Sequence, residues 1–308
     1  MARGTILGLV DEVAGQPRAL EEFMRTEVPR AARGSVFVGA GDSYAAALVG
    51  FYASKGMCIT LDPYSLASSP EIARGLDVSL ISVSGRTASN LMAARRVRRV
   101  AKSITAVTAD EGSPLARAAD EVVRLPMTYS PRTSGMLSFS LSSLAVLKIL
   151  GVEGHCDFGK ALKDAKGNRG RLQWGKGTTY FLGNSLAYPA ALYAAAKTYE
   201  LLGSRAHAEL LEEFSHLELF SLARTDAVNV FSCFDPSGLA GKLKGALTAG
   251  GYEARTVPGR GATDVERLFH CVFVVQLSVL DRALKSGLSK PVFLAGGERL
   301  GVSDAMIY

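Results

Sequence analysis

The sequence has no CxxC pair, no zinc-type spacing and no long uninterrupted apolar stretch. Its four cysteines, Cys58, Cys156, Cys233 and Cys271, stand far apart. The four histidines, His155, His207, His216 and His270, do not join them in a zinc pattern. His155-Cys156 and His270-Cys271 are adjacent pairs, incidental rather than ligand sets. No metal is expected, and scattered thiols of this kind read as buried or inert in a reducing compartment. No segment combines the length and apolarity of a membrane span. The opening stretch MARGTILGLVDEVAG places Asp11 and Glu12 soon after a short apolar run, which suits a first helix better than a secretory leader. The expectation is a soluble cytoplasmic protein that does not engage a membrane.

Strongly one-sided charge is missing too. The 35 Lys and Arg against 29 Asp and Glu leave a net charge of +6, a mild balance that attracts anionic metabolites. The one basic cluster, Arg95-Arg96-Val97-Arg98-Arg99, has no interleaved aromatic residues on which bases could stack. It reads as a solvated helix face, and no nucleic-acid partner is expected.

What is present is a regular alternation. The chain has 308 residues and is 48% hydrophobic, enough for two domains of ordinary size or one large one, with a substantial core. Strand-like runs at Ser35–Gly39, Met57–Leu61, Val78–Val83, Ser103–Val107 and Glu121–Leu125 alternate with helical patterns at Ser43–Ser54, Thr87–Lys102, Ser113–Ala118 and Ser134–Leu150. The texture then changes over Gly151–Lys176, a Lys-, Arg- and Gly-rich connection with room for one helix. The alternation restarts with strands at Thr178–Gly183, Ala227–Ser232 and Tyr252–Val257. Helices are expected at Tyr188–Leu202, Leu239–Ala249 and Asp264–Lys285. This predicts two doubly wound parallel sheets of the flavodoxin-like, three-layer α/β/α kind, over residues 1–150 and 177–308. VFVGAGDSYAAALVGFYASKG and YFLGNSLAYPAALYAAAKTYELLG form a weak internal repeat: strand, glycine turn, polar pair, Ala-rich helix.

Two turns carry chemistry. Gly39-Ala40-Gly41-Asp42-Ser43 ends the first strand, but Tyr44 stands where a dinucleotide fingerprint needs its third glycine. The turn still delivers backbone N–H groups and the Ser43 hydroxyl to a helix N-terminus, an anion-favouring place. A purely structural glycine turn with Ser43 as helix cap accounts for these residues equally well. Ser82-Val83-Ser84-Gly85-Arg86-Thr87 ends the third strand with three hydroxyls around a glycine at the start of a helix. One hydroxyl would suffice to cap that helix, and three suit a phosphate monoester.

A strand ending in S-x-S-G-x-T, preceded about forty residues earlier by G-x-G-x-S, resembles the SIS (sugar isomerase) fold. The resemblance extends over nearly the whole chain as two SIS domains in tandem. It is shared between bifunctional phosphoglucose/phosphomannose isomerases and the isomerase part of glutamine–fructose-6-phosphate aminotransferase with related deaminases. It implies a phosphorylated hexose or amino-hexose as ligand, with Gly41, Ser43, Ser82, Ser84 and Thr87 at its phosphate. In the first group an A-P-R stretch places an arginine near the developing enediolate; Ser130-Pro131-Arg132 occupies that position and implies this role for Arg132.

In both groups a catalytic glutamate is followed sixteen residues later by a ring-opening histidine, the spacing of Glu200 and His216. One carboxylate can carry a proton between C1 and C2 through a cis-enediol, and a separate imidazole can open the ring. Glu209, Glu212, Glu213 and Glu218 remain rivals for the acid, and His207 for the imidazole. The resemblance further implies a homodimer whose active site is shared between subunits, and a mechanism without cofactor. Two departures stand out. No lysine follows Lys290, where the aminotransferase forms a Schiff base, which favours plain isomerisation. Asp42 lies beside the expected phosphate and would repel it unless it turns away or pairs with a cation such as Arg86. Glucosamine-6-phosphate deamination and a non-catalytic sugar-phosphate sensor are the alternatives.

Overall fold

The computed structural model describes residues 5–32, 34–129, 134–168 and 170–307. The chain divides into two compact units, one of Arg18–Gly154 with Gly296–Tyr308, the other of Met1–Pro17 with His155–Ala295. Helix α1, Ile6–Met24, leads into β1 (Val36–Val38), α2 (Asp42–Ala53), β2 (Ile59–Leu61), α3 (Pro63–Ser68) and β3 (Asp77–Ile81). Next come α4 (Ala88–Val97), β4 (Ser103–Thr108), α5 (Pro114–Ala118), β5 (Glu121–Arg124) and α6 (Leu137–Leu150). The five strands form one parallel sheet in the order β2-β1-β3-β4-β5, with Val36 of β1 opposite both Ile59 and Val78.

Short apolar strands covered on both sides are what a wholly parallel sheet requires. Val36, Val38, Val78, Leu80, Ile104 and Ala106 pack against Leu66, Ala67, Ala93, Ala94 and Val97 of α3 and α4. Phe37 alternates to the other face. A side chain built on Gly50 of α2 would come within 3.0 Å of Phe37 and 2.9 Å of Val146 of α6, so these two helices form the third layer. The order places a switch point between β1 and β3, where crossovers leave in opposite directions and a crevice opens at the strand C-termini.

The second unit repeats the plan. Its elements are α7 (Phe158–Lys166), β6 (Thr179–Gly183), α8 (Ala187–Lys197, continued by a π-helical turn, Thr198–Leu202), β7 (Ala206–Glu209) and α9 (Leu211–His216). They are followed by β8 (Ala227–Phe231), α10 (Leu239–Ala249), β9 (Glu253–Val257) and α11 (Asp264–Lys285). The sheet is again wholly parallel, in the order β7-β6-β8-β9, the first sheet's order short of one strand. Leu182, Val228 and Val230 pack on Leu211 and Phe214 of α9 and Leu247 of α10. The long helix α11 starts on a capping box between Thr263 and Glu266 and meets α7 through the Phe158 and Phe269 rings, 4.9 Å apart. A last helix, α12 (Gly297–Ile307), groups with the first unit.

The expected strands all appear. Four elements do not follow from the sequence reading: α3, α9, α12 and β7. The four residues of β7, Ala-His-Ala-Glu, alternate buried and half-exposed but carry no β-branched side chain to mark them as a strand. The helix expected over Thr87–Lys102 ends at Val97. Among the described residues no helix is long and apolar enough to cross a membrane.

Candidate functional site

The switch point of the first sheet holds a small depression of about 170 Å³, lined by Ser43, Ser82, Ser84, Thr87, Asn90 and Tyr129 with Ala40, Ile81 and Val83. Four of the five residues expected at the phosphate line it. The fifth, Gly41, precedes α2 with φ of 58°, a left-handed conformation that glycine adopts without strain. The volume is below that of a whole-ligand pocket and suits the anionic end of a larger molecule.

Two helix N-termini bound the depression, and neither is capped by a side chain. Gly41 has no side chain with which to cap α2. Thr87 occupies the cap position of α4 but makes no capping bond. Its Oγ1 lies instead 3.1 Å from Ser82 Oγ. Ser84 Oγ accepts the Arg86 N–H at 3.2 Å, leaving its own proton to donate elsewhere. By contrast, α3 and α5 are capped by Asp62 and Ser113. Ser43 lies inside the first turn of α2, so it is not the helix cap that the turn alone allowed. Uncapped N–H groups beside three hydroxyls suit a phosphate.

The loop is held from behind. Val83 O accepts the Ala109 N–H at 3.0 Å and the Thr108 hydroxyl at 3.1 Å, and Gly85 O accepts the Leu115 N–H at 3.0 Å. Gly85 has φ of 60°, and a Cβ there would lie 2.1 Å from Ser113 Oγ. Only glycine fits. Asn90 is a site residue that the sequence reading missed. It is fully buried one turn into α4, and its Oδ1 has no hydrogen-bond partner among the described residues. The signal was its position three residues after Thr87, on the same helix face.

Asp42 is turned away from the depression. A Cβ on Gly135 would lie 2.5 Å from Asp42 Oδ2 and 2.8 Å from Ser138 Oγ, which puts the carboxylate against the start of α6. Arg86 does not serve it; its guanidinium pairs with Asp110 at 2.9 Å. Arg132 lies outside the described residues.

Glu200 and His216 belong to the second unit. Glu200 sits in the π-helical turn after α8, a distortion frequent at functional sites. Its Oε2 accepts from the ammonium of Lys197, at 2.5 Å. Lys197 is completely buried, with its Nζ 5.3 Å from the centre of the Tyr193 ring. Gln276 of α11 donates to Tyr193 Oη at 3.3 Å. His216 ends α9 with its side chain 73% exposed and its Nε2 4.0 Å from Glu212 Oε1, so its ion-pair neighbour is Glu212, not Glu200. His207 on β7 takes Glu218 at 3.0 Å and Glu209 at 3.8 Å, and the ligand atoms of these three lie within 4.8 Å of one another. They form the one such group among the described residues.

Compared with known families, residues 30–152 match the SIS domain model. That segment resembles a SIS domain. It contains the whole first sheet and the hydroxyl loop. The match is to one SIS domain, where the sequence reading expected two in tandem. The second sheet has the matching strand order, but after β8 it carries Ser232-Cys233-Phe234-Asp235-Pro236-Ser237, which has neither the glycine nor the clustered hydroxyls of the Ser82–Thr87 loop after β3.

No curated protein sequence matches the chain. Solved structures share its fold over most of its length. Glucosamine-6-phosphate deaminase from Thermotoga maritima is 20% identical with a TM-score of 0.72, covering 91% of this chain and 95% of its own. The C-terminal domain of glucosamine-fructose-6-phosphate aminotransferase from Francisella tularensis is 16% identical with a TM-score of 0.70, covering 92% and 97%. Tagatose-6-phosphate ketose/aldose isomerase from Escherichia coli is 17% identical with a TM-score of 0.70, covering 92% and 94%.

Proposed function

We propose that the chain is a sugar-phosphate aldose–ketose isomerase of the glucose/mannose 6-phosphate to fructose 6-phosphate type. The observation that carries this reading is the depression at the first sheet's switch point, with its hydroxyls set beside two uncapped helix N-termini. The phosphate is held by Ser43, Ser82, Ser84 and Thr87, at the turn containing Gly41. Glu200 shuttles the proton between C1 and C2, His216 opens the ring and Arg132 stabilises the enediolate. The protein works as a cytoplasmic homodimer in which one subunit supplies His216 to the other's Glu200. Support for that sharing is that His216 is exposed and its neighbour within the chain is Glu212, not Glu200. Every step moves a proton, so the chain's own acids and bases suffice.

The test is incubation with fructose 6-phosphate in deuterium oxide. The expected outcome is glucose or mannose 6-phosphate carrying solvent deuterium at C2. Ammonia release from glucosamine 6-phosphate without interconversion would make the protein a deaminase instead. Thermal stabilisation by hexose phosphates with no turnover of any would leave it a sensor.

A further inference from the structure

β8 holds in the second sheet the place that β3 holds in the first: third in chain order, beside the first strand. The loops that follow start alike. Ser82 N donates to Val107 O at 3.0 Å, and Ser232 N donates to Val257 O at 3.0 Å. Beyond that point they diverge. At α10 the Asp235 carboxylate accepts the Ala240 N–H and the Ser237 hydroxyl, each at 2.7 Å, so the chain's own anion fills the place at this helix start. The residue after Ser232 is Cys233, and its Sγ lies 3.1 Å from Cys271 Sγ on α11.

The two thiols differ in access. Cys271 is fully buried, whereas Cys233 is partly exposed. Gly259 backs them both: a Cβ there would lie 2.2 Å from Cys233 Cβ and 3.2 Å from each sulfur. A disulfide bond is about 2.05 Å long, so pairing needs roughly 1 Å of approach. The hydrogen bond to Cys233 and then burial raise the Cys271 thiol well above its ordinary pKa, which keeps it from reacting first.

We infer that Cys233 and Cys271 are an oxidation site, at which a hydroperoxide converts two thiols into a disulfide tying the loop after β8 to α11. The Cys233 thiolate attacks one peroxide oxygen. The O–O bond breaks, an S–OH group forms, and the other oxygen leaves as alkoxide (or hydroxide, from hydrogen peroxide) and takes up the proton the Cys233 thiol gave up, becoming an alcohol or water. Cys271 sulfur then attacks the sulfenic sulfur. The S–S bond forms, the S–O bond breaks, and hydroxide leaves with the Cys271 proton as water. Two thiols lose two electrons in all, and one peroxide gains them. The site stands on the second sheet and does not depend on the isomerase reading.

The test treats the full chain with hydrogen peroxide, alkylates it under denaturing conditions and digests it. Two of the four thiols should escape alkylation, in one linked peptide pair containing Cys233 and Cys271, and dithiothreitol should restore them. Cys271→Ser should abolish the link and leave Cys233 as a sulfenic acid that dimedone traps; Cys271→Ala serves if the serine variant does not fold. Gly259→Ala, which displaces Cys233, should slow the link several-fold. The inference is overturned if all four thiols stay alkylatable, if Cys233 passes to sulfinic acid while Cys271 persists as a thiol, or if the link involves Cys58 or Cys156.

Discussion

Glu200 owes its setting to a lysine that the sequence shows only as the third residue before it. A completely buried ammonium needs a counter-charge, and Lys197 has Glu200. The π-helical turn begins immediately after Lys197, where α8 gives up its regular winding. On the isomerase reading, Glu200→Gln keeps the shape and the acceptor oxygen for Lys197 but removes the base. Turnover should fall by about 10²–10⁴-fold with little change in KM for fructose 6-phosphate. Steady-state assays beside a circular dichroism spectrum check this, and undiminished turnover would take Glu200 out of the mechanism. Asp42 makes a related point. Its position in the chain, next to Ser43, suggests conflict with a phosphate, and only its side-chain direction, toward Gly135, removes the conflict.

Among the elements, the β3–α4 turn carries the strongest demand on one residue. Gly85→Ala must adopt φ of 60° and meet Ser113 Oγ at 2.1 Å, at the cap of α5. The left-handed conformation alone costs about 1–2 kcal/mol, and displacing a cap adds about 1. A lower melting temperature and loss of stabilisation by fructose 6-phosphate are expected together. Gly15→Ala, inside α1 with nothing within 4 Å of the new Cβ, is the control and should stabilise slightly. A melting temperature for Gly85→Ala equal to that of the control would refute the assignment. The turn was legible in the sequence because hydroxyls and a glycine clustered at the end of an apolar run. Asn90 was not, because an asparagine one turn into a helix looks like any solvent-facing residue until burial is known. β7 was hidden because its pairing with β6 comes from tertiary contacts rather than from Ala-His-Ala-Glu itself. The Cys233 and Cys271 pairing, 38 residues apart, depends on how a loop meets a helix and leaves no local pattern.

At the scale of the whole molecule, acid is the condition most informative about folding. His270 on α11 is fully buried, and burial pushes its pKa down from 6.5 to about 4; Arg260 and Arg171 act in the same direction, and Asp164 against it. Its folded pKa is below its unfolded one, so above pH 6.5 neither state is protonated and its contribution is intact. As pH falls from 6.5 toward 4 the unfolded chain takes the proton first, and stability drops by roughly 3 kcal/mol in total. Asp120 and Glu153, held low by hydrogen bonds from Ile104 and Arg30 respectively, lose their contributions only at lower pH. Urea denaturation between pH 7 and pH 4.5 should show this early loss, and His270→Leu should flatten it. Parallel profiles for the two proteins would count against a buried neutral imidazole.

The chain passes between the two compact units three times, after Pro17, after Gly154 and after Ala295. A ribosome delivers it from one end. Residues 18–154, with the whole first sheet, are complete while residues 1–17 still lack the rest of their own unit. At roughly 5–20 residues per second, the 141 residues from His155 to Ala295 take about 7–28 s to emerge. For that interval the apolar face of Ile6, Leu9 and Val13, buried in the finished protein, has no permanent cover. The nascent chain is then a completed first sheet joined to a sticky, uncovered helical segment, and that is when a chaperone would find it.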